Sequence, residues 1–142
     1  MLIGEYTHNL DSKGRLILPS KFRDEIGDRF IITCGLENSL TIYTESGWEE
    51  YVEKLHSLPF HKGDIRAFVR LVLSKANQVE TDKMGRFTIP PNLRKFAELK
   101  KEVIITGLND RIELWSSEKW EEYLKTAKEN YENEAEVIGE LE

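Results

Sequence analysis

At an offset of 71 residues the chain repeats itself, Asp11-Ser12-Lys13-Gly14-Arg15-Leu16-Ile17-Leu18-Pro19 returning as Asp82-Lys83-Met84-Gly85-Arg86-Phe87-Thr88-Ile89-Pro90. The copies run further, since Arg23 matches Arg94. After one extra residue in the second copy, Gly35-Leu36 matches Gly107-Leu108 and Trp48-Glu49-Glu50-Tyr51 matches Trp120-Glu121-Glu122-Tyr123. Two copies are too few for a stacked solenoid. A chain of 142 residues can bury one core of useful size, whereas a half of about 70 would be marginal alone. The two copies are therefore expected to fold together, and whatever the chain does it is expected to do twice.

The net charge of −6 conceals a segregated distribution. From Ser117 to the C-terminus there are nine acids against three bases, which leaves residues 1–116 neutral with 17 of each. Within that neutral part, residues 82–101 carry Lys83, Arg86, Arg94, Lys95, Lys100 and Lys101 against only Asp82 and Glu98. A basic face can thus coexist with an acidic tail, and local distribution decides affinity for phosphate. No apolar run approaches the roughly 20 residues that span a bilayer, and the start lacks the pattern of a secretory signal. A soluble, cytoplasmic protein is expected. Cys34 is the only cysteine, so an intrachain disulfide and a cysteine metal cluster are excluded, and its apolar surroundings predict a buried structural thiol.

Periodicity and turn residues predict a mixed α+β chain. Ile3 to His8 and Arg15 to Leu18 read as strands joined by a glycine-containing turn, hence as a hairpin, which Pro19 ends. A short helical turn follows over Lys21 to Glu25, then strands at Arg29 to Cys34 and Leu40 to Tyr43. Ser46 with Glu49 predicts a capped helix carrying Trp48, Tyr51, Val52 and Leu55 on one face. The second copy repeats this order, with Ser117 predicted to cap a final helix whose inner face holds Trp120, Tyr123, Leu124 and Ala127. Between the copies, a helix over about 64–76 places Ile65, Phe68, Val69 and Val72 on one stripe. Leu71 and Leu73 widen it, giving apolar surface for both the body and a neighbouring subunit. The expected organisation is a first half over 1–58, a connecting loop and helix over 59–76, a second half over 77–127 and an acidic helical or disordered tail over 128–142, all in one intertwined domain.

The repeated Asp-x-x-Gly-Arg turn is the element that can carry chemistry. An aspartate opening a turn accepts backbone N–H groups, and Gly14 and Gly85 supply the left-handed conformation of a tight reversal. Arg15 and Arg86 follow where the chain re-enters a strand. Two readings stand side by side. In one the arginine forms an intraturn ion pair of little energetic consequence. In the other, Asp11 and Asp82 orient guanidinium forks that bind phosphate or the O6/N7 edge of guanine.

The stretch Gly4-Glu5-Tyr6-Thr7-His8-Asn9-Leu10-Asp11-Ser12-Lys13-Gly14-Arg15, with Leu18-Pro19, Phe22-Arg23, the second Asp82-x-x-Gly85-Arg86-x-x-Ile89-Pro90 and Ile112-Glu113-Leu114-Trp115, closely resembles the bacterial MraZ family. The resemblance runs from Gly4 to about Tyr123 with both motif copies in register. It implies a duplicated AbrB-like swapped-hairpin, double-psi-like β-barrel with peripheral helices, in which two halves of one chain do what two chains do in AbrB. It also implies a sequence-specific, nucleoid-associated transcriptional regulator of its own division and cell-wall gene cluster. Such a protein would bind double-stranded promoter DNA at short G-rich direct repeats as a homo-oligomeric ring such as an octamer. By position, Arg15 and Arg86 are the expected DNA contacts, with Lys13 and Lys83 as additional ones. Asp11 and Asp82 are the orienting partners, and Gly14 and Gly85 the backbone enablers. The second copy departs from the first by placing Met84 opposite Lys13. Arg23 and Arg94 recur too, with a salt bridge, a helix-surface role and a DNA contact all open to them.

Two other function classes are weaker. For an enzyme, the three histidines His8, His56 and His61 have no matches between copies, no nucleophile or metal-ligand spacing occurs, and the arginine four residues after each aspartate would keep it ionised. No metal, cofactor or small-molecule substrate is expected. The remaining alternative is an antitoxin-like protein-interaction module that grips its partner with the acidic C-terminal segment.

Overall fold

The computed structural model describes residues 1–139. In chain order the elements are β1 (Leu2–Asn9), β2 (Arg15–Ile17), α1 (Ser20–Ile26), β3 (Arg29–Cys34), β4 (Leu40–Thr44), α2 (Glu45–His56) and α3 (Gly63–Ser74), then β5 (Asn77–Glu80), β6 (Arg86–Thr88), α4 (Pro91–Phe96), β7 (Glu102–Asn109), β8 (Ile112–Ser116) and α5 (Ser117–Val137). The α+β class is as expected. Six strands form one antiparallel sheet in the order β1-β7-β8-β4-β3-β5, and β2 pairs with β6 in a separate two-stranded ribbon. That order is palindromic with respect to the two copies, because exchanging each strand for its repeat partner reverses the list.

The pairing differs from the hairpin expected at each turn. β1 pairs along its full length with β7 of the other half, from Leu2↔Asn109 to Asn9↔Glu102. Its counterpart β5 pairs with β3, again across the halves. β2 and β6 pair with each other, Leu16 facing Phe87. Alternation in sequence identifies a strand but not its partner, and here the long strands of the opposite half take up the edges that a local hairpin would have used. The pairings close no barrel, since β1 and β5 remain edges of the six-stranded sheet.

The core explains why the halves are inseparable. Leu16, Leu18 and Phe22 of the first copy and Phe87, Ile89 and Leu93 of the second are all fully buried in one cluster with Phe30, Ile32, Ile42, Ile105 and Leu114. Phe30 meets Phe87 across the halves edge to face, with ring centroids 5.0 Å apart, and Tyr6 meets Phe22 at 5.3 Å. Such contacts add about 0.5–1.5 kcal/mol to the area they bury. A second cluster gathers at the end of β3, where Cys34 packs with Leu55 of α2 and Val69 and Val72 of α3. Thr33 Oγ1 donates to Val72 O at 2.7 Å and ties the end of α3 to the sheet. Cys34 is buried as expected, and burial pushes its thiol pKa up.

Three local expectations are corrected. The caps of α2 and α5 are Thr44 and Ser116, whose hydroxyls accept from Gly47 N at 2.9 Å and Lys119 N at 3.1 Å, rather than Ser46 and Ser117. Each helix starts directly from the end of a strand, so the last extended residue takes the capping position. Phe68 and Leu71 of α3 are exposed, and only Val69 and Val72 of that helix are buried. The third correction concerns α5, which has no buried residue, with Tyr123 and Ala127 exposed and Trp120 and Leu124 half-buried. Its first turns are fastened by Trp115 against Trp120 and Tyr123, and by Trp120 Nε1 donating to Glu5 Oε1 at 3.0 Å. No described helix is long and apolar enough to cross a membrane.

A shared core predicts a single cooperative unfolding transition. Phe87→Ala should cost about 3–5 kcal/mol and leave one transition, coincident by far-ultraviolet circular dichroism and tryptophan fluorescence. Two separated transitions would contradict the interleaved arrangement.

Candidate nucleic-acid interface

Each repeated turn is built around its aspartate. Asp11 Oδ1 accepts from the backbone N–H of Lys13 and of Arg15, both at 2.9 Å, while Oδ2 accepts from Arg15 Nε at 2.6 Å. The backbone closes the loop, Gly14 N donating to Asp11 O and Asp11 N to Arg15 O, both at 3.0 Å. Asp82 repeats this with Met84 N and Arg86 N at 2.9 Å and Arg86 Nε at 2.8 Å. Gly14 at φ 74° and Gly85 at φ 76° hold the left-handed position that a side chain would strain. With Nε committed to the carboxylate, the two terminal nitrogens of each guanidinium make no hydrogen bond within the described residues. The aspartate thus fixes the arginine's direction and leaves its outer fork available.

Both carboxyls are held below the ordinary aspartate range. For Asp11 the main cause is the backbone N–H of Arg15, opposed by partial desolvation and reinforced by the Arg15 guanidinium, and its pKa falls to about 2. Asp82 is lowered in the same way by Arg86. A group lowered from 3.8 contributes its stabilisation above about pH 4 and loses it as pH falls towards 2.

The ribbon brings the two turns together. Its register pairs Arg15 with Thr88, Leu16 with Phe87 and Ile17 with Arg86, and Ile89 N donates to Gly14 O at 3.0 Å. Strand alternation puts Leu16 and Phe87 on the core face and Arg15, Ile17, Arg86 and Thr88 on the other. Arg15 and Arg86 are therefore diagonal neighbours on one outward face, about 7–8 Å apart along the backbone and somewhat less between their Cβ atoms. Lys13 and Lys83 stand exposed near the tips, as does Met84.

Sequence reasoning left the place of Arg23 and Arg94 open. In the fold, Pro19 and Pro90 start α1 and α4, and Arg23 N and Arg94 N donate back to the carbonyls of those prolines at 3.0 Å. One helical turn in, each arginine crosses to the opposite copy. The Arg94 guanidinium lies on Gly14 and that of Arg23 on Gly85, so a Cβ at either glycine would collide with it. Both glycines are buried as a result. Neither arginine pairs with a carboxylate among the described residues, and Arg23 Nε is buried without a hydrogen-bond partner. The only sequence signal for this crossing was the recurrence of the arginine itself.

His8 is half-buried, and His56 and His61 are exposed. No group of three or more His, Cys, Asp or Glu side chains able to hold a metal occurs among the described residues.

Carbon-detected titration of the aspartate carboxyls is expected to give a midpoint near 2 for Asp11, well below exposed aspartates, and Arg15→Gln should raise it. A midpoint near 4 in the unsubstituted chain would contradict the clamped turn.

Known proteins carry the same architecture of sequence. A family model described as "MraZ protein, putative antitoxin-like" matches residues 1–71 and again 72–138, one match to each copy. The chain is 49% identical over 141 residues to the transcriptional regulator MraZ of Desulforamulus reducens, covering 99% of both chains. It is 51% identical over 141 residues to that of Halothermothrix orenii, again covering 99% of each. Over 142 residues it is 49% identical to that of Moorella thermoacetica, covering 100% of this chain and 99% of the relative. With both copies matched and relatives about half identical from end to end, the chain belongs to the MraZ family.

Proposed function

We propose that this chain is a DNA-binding transcription regulator that reads duplex DNA with the outward face of the β2–β6 ribbon. The observation that carries this is the pair of aspartate-clamped guanidinium forks, Arg15 and Arg86, on one face of one ribbon. A fork fixed at Nε presents its two terminal nitrogens end-on, the geometry that matches the O6 and N7 atoms of guanine. A spacing of about 7 Å is close to two base steps of about 3.4 Å each, so the two arginines of one chain fit bases separated by one intervening base. Lys13 and Lys83 are suited to the flanking phosphates. Nothing in this reading calls for catalysis.

Short G-rich direct repeats upstream of the division and cell-wall gene cluster are the proposed target, and a ring of subunits the proposed assembly. The ring would join several weak ribbons into a strong array through effective concentration. Support for association comes from the exposed apolar side chains Phe68 and Leu71 of α3, which the body of the chain leaves uncovered. The interleaved pairing of β1 with β7 and β5 with β3 supports the swapped-hairpin relationship between the halves.

A second reading, an antitoxin-like interaction module, draws on the family description and on α5, which exposes Tyr131 and Val137. It requires an unrelated chain to co-purify in stoichiometric amount and to be lost when α5 is truncated. It gives Arg15 and Arg86 no role.

Binding to the DNA upstream of the chain's own gene, followed by fluorescence anisotropy, tests the proposal. Arg15→Ala should weaken binding by about 1–3 kcal/mol per lost contact and relax base preference, and removing both Arg15 and Arg86 should abolish specific binding. Deleting all but one operator repeat should cause a sharp further loss. Unchanged affinity in the double variant would overturn the proposal.

A further inference from the structure

The two turns are alike in themselves and unlike in what the opposite half brings to them. Each carries one carboxylate and two cations, Asp11 with Lys13 and Arg15 in the first and Asp82 with Lys83 and Arg86 in the second. Arg94 covers the first turn from α4, with Lys95 next to it, and Arg23 covers the second from α1, with Asp24 next to it. A further segment reaches each turn through the backbone. Leu10 N donates to Lys101 O at 2.7 Å beside the first, and Thr81 N donates to Asp28 O at 2.9 Å beside the second. Asp24 therefore stands where Lys95 stands in the other copy, and Asp28 where Lys101 stands.

The consequence is a large difference in charge. The first turn with its crossing residues holds five cations (Lys13, Arg15, Arg94, Lys95, Lys101) and one carboxylate. The second holds three cations (Lys83, Arg86, Arg23) and three carboxylates (Asp82, Asp24, Asp28). The second set is close-knit, since Arg23, Asp24, Asp28, Asp82 and Lys83 line one shallow concavity with Gly85. Lys95, Lys101, Asp24 and Asp28 are all exposed and form no ion pair among the described residues. Nearby acids do not restore the balance at the first turn, for Glu98 is paired with Lys119 at 2.8 Å. Glu102 and Arg29, one residue beyond Lys101 and Asp28, open β7 and β3 and are exposed; counting them narrows the difference to a net +3 at the first turn against +1 at the second and does not remove it.

We infer that the turns divide the work of holding DNA. The first adds a phosphate anchor to the base contact of Arg15, with Arg94, Lys95 and Lys101 supplying the anchor's charge from the other half of the chain. The second reads bases through Arg86 with little backbone affinity, because Asp24 and Asp28 cancel its field. The physical basis is counterion release, in which each neutralised phosphate steepens the salt dependence of binding by about 0.9 logarithmic units, while a carboxylate facing the backbone gives nothing back. The inference rests on the DNA-binding reading above.

Salt-titrated anisotropy with the full chain and its upstream DNA, alongside a scrambled duplex, tests the division. Replacing Arg94, Lys95 and Lys101 together by glutamine should weaken binding and reduce the slope of log affinity against log salt by about 2–3, with the preference for the operator over the scrambled duplex retained. Arg23→Gln should change the slope by less than about 1, and Asp24→Lys with Asp28→Lys should tighten binding and steepen the slope. If Arg94→Gln unfolds the turn, Lys95→Gln with Lys101→Gln is the substitute, both being exposed, and should reduce the slope by about 2. Specific binding with a slope unmoved by these changes, or equal effects at the two turns, would overturn this inference and leave the DNA-binding reading intact. Loss of operator preference at unchanged slope would likewise overturn it, making Arg94 a brace for the turn. Absence of DNA binding by the unsubstituted chain would overturn both.

Discussion

Three residues of one half pair with three of the other in the β2–β6 ribbon, and both the core and the candidate interface depend on that ladder. A ladder this short is marginal by itself. It holds because Leu16 and Phe87 turn inward from it and are fully buried, each contributing about 1.5–3 kcal/mol by leaving water. The same alternation that sends these two inward sends Arg15 and Arg86 outward. Burial and exposure of neighbouring residues are thus one geometric decision, and a slip of one residue in register would bury the arginines. The paired strands β1–β7 and β5–β3 flank the ribbon from either side, so the candidate interface is held in place by the interleaving of the halves.

The glycines make the crossing possible. Gly14 and Gly85 accept a left-handed backbone, and their lack of a Cβ lets the guanidinium of the opposite half lie directly on the turn. A cation held this close to another arginine, without a carboxylate of its own, adds to the positive potential of the first turn. The acidic balance of the whole chain is consequently no guide to this surface. The acids are concentrated from Ser117 onward, on a helix fastened to the body only through its first turns, while the cations gather around residues 11–15 and 94–101.

Much of this was legible in the sequence, and what was not has physical reasons. The offset of 71 residues predicted shared folding, and the Asp-x-x-Gly-Arg spacing allowed the arginine either to pair with its aspartate or to reach outward; the hydrogen bonds show it paired through Nε. Strand partners were not legible, because alternation identifies the buried face and says nothing of which edge is occupied. Hence the hairpin expected between Ile3–His8 and Arg15–Leu18 is replaced by pairing across the halves. The exposure of Phe68 was equally hidden, since a wide apolar stripe does not declare how much of it the same chain covers. Arg23 and Arg94 were visible as a recurrence, but their destination lies on the other copy, a distance that local spacing cannot encode.

The central proposal is that DNA lies along the outward face of the ribbon. Ile17 and Thr88 share that face with the arginines, are exposed, and can be replaced by cysteine for attachment of a photo-crosslinker, since Cys34 is buried. Probes at Ile17→Cys and Thr88→Cys are expected to crosslink efficiently to operator DNA, and a probe at Glu129→Cys on α5 is expected not to. Efficient crosslinking from α5 with none from either ribbon position would contradict the assignment of the interface.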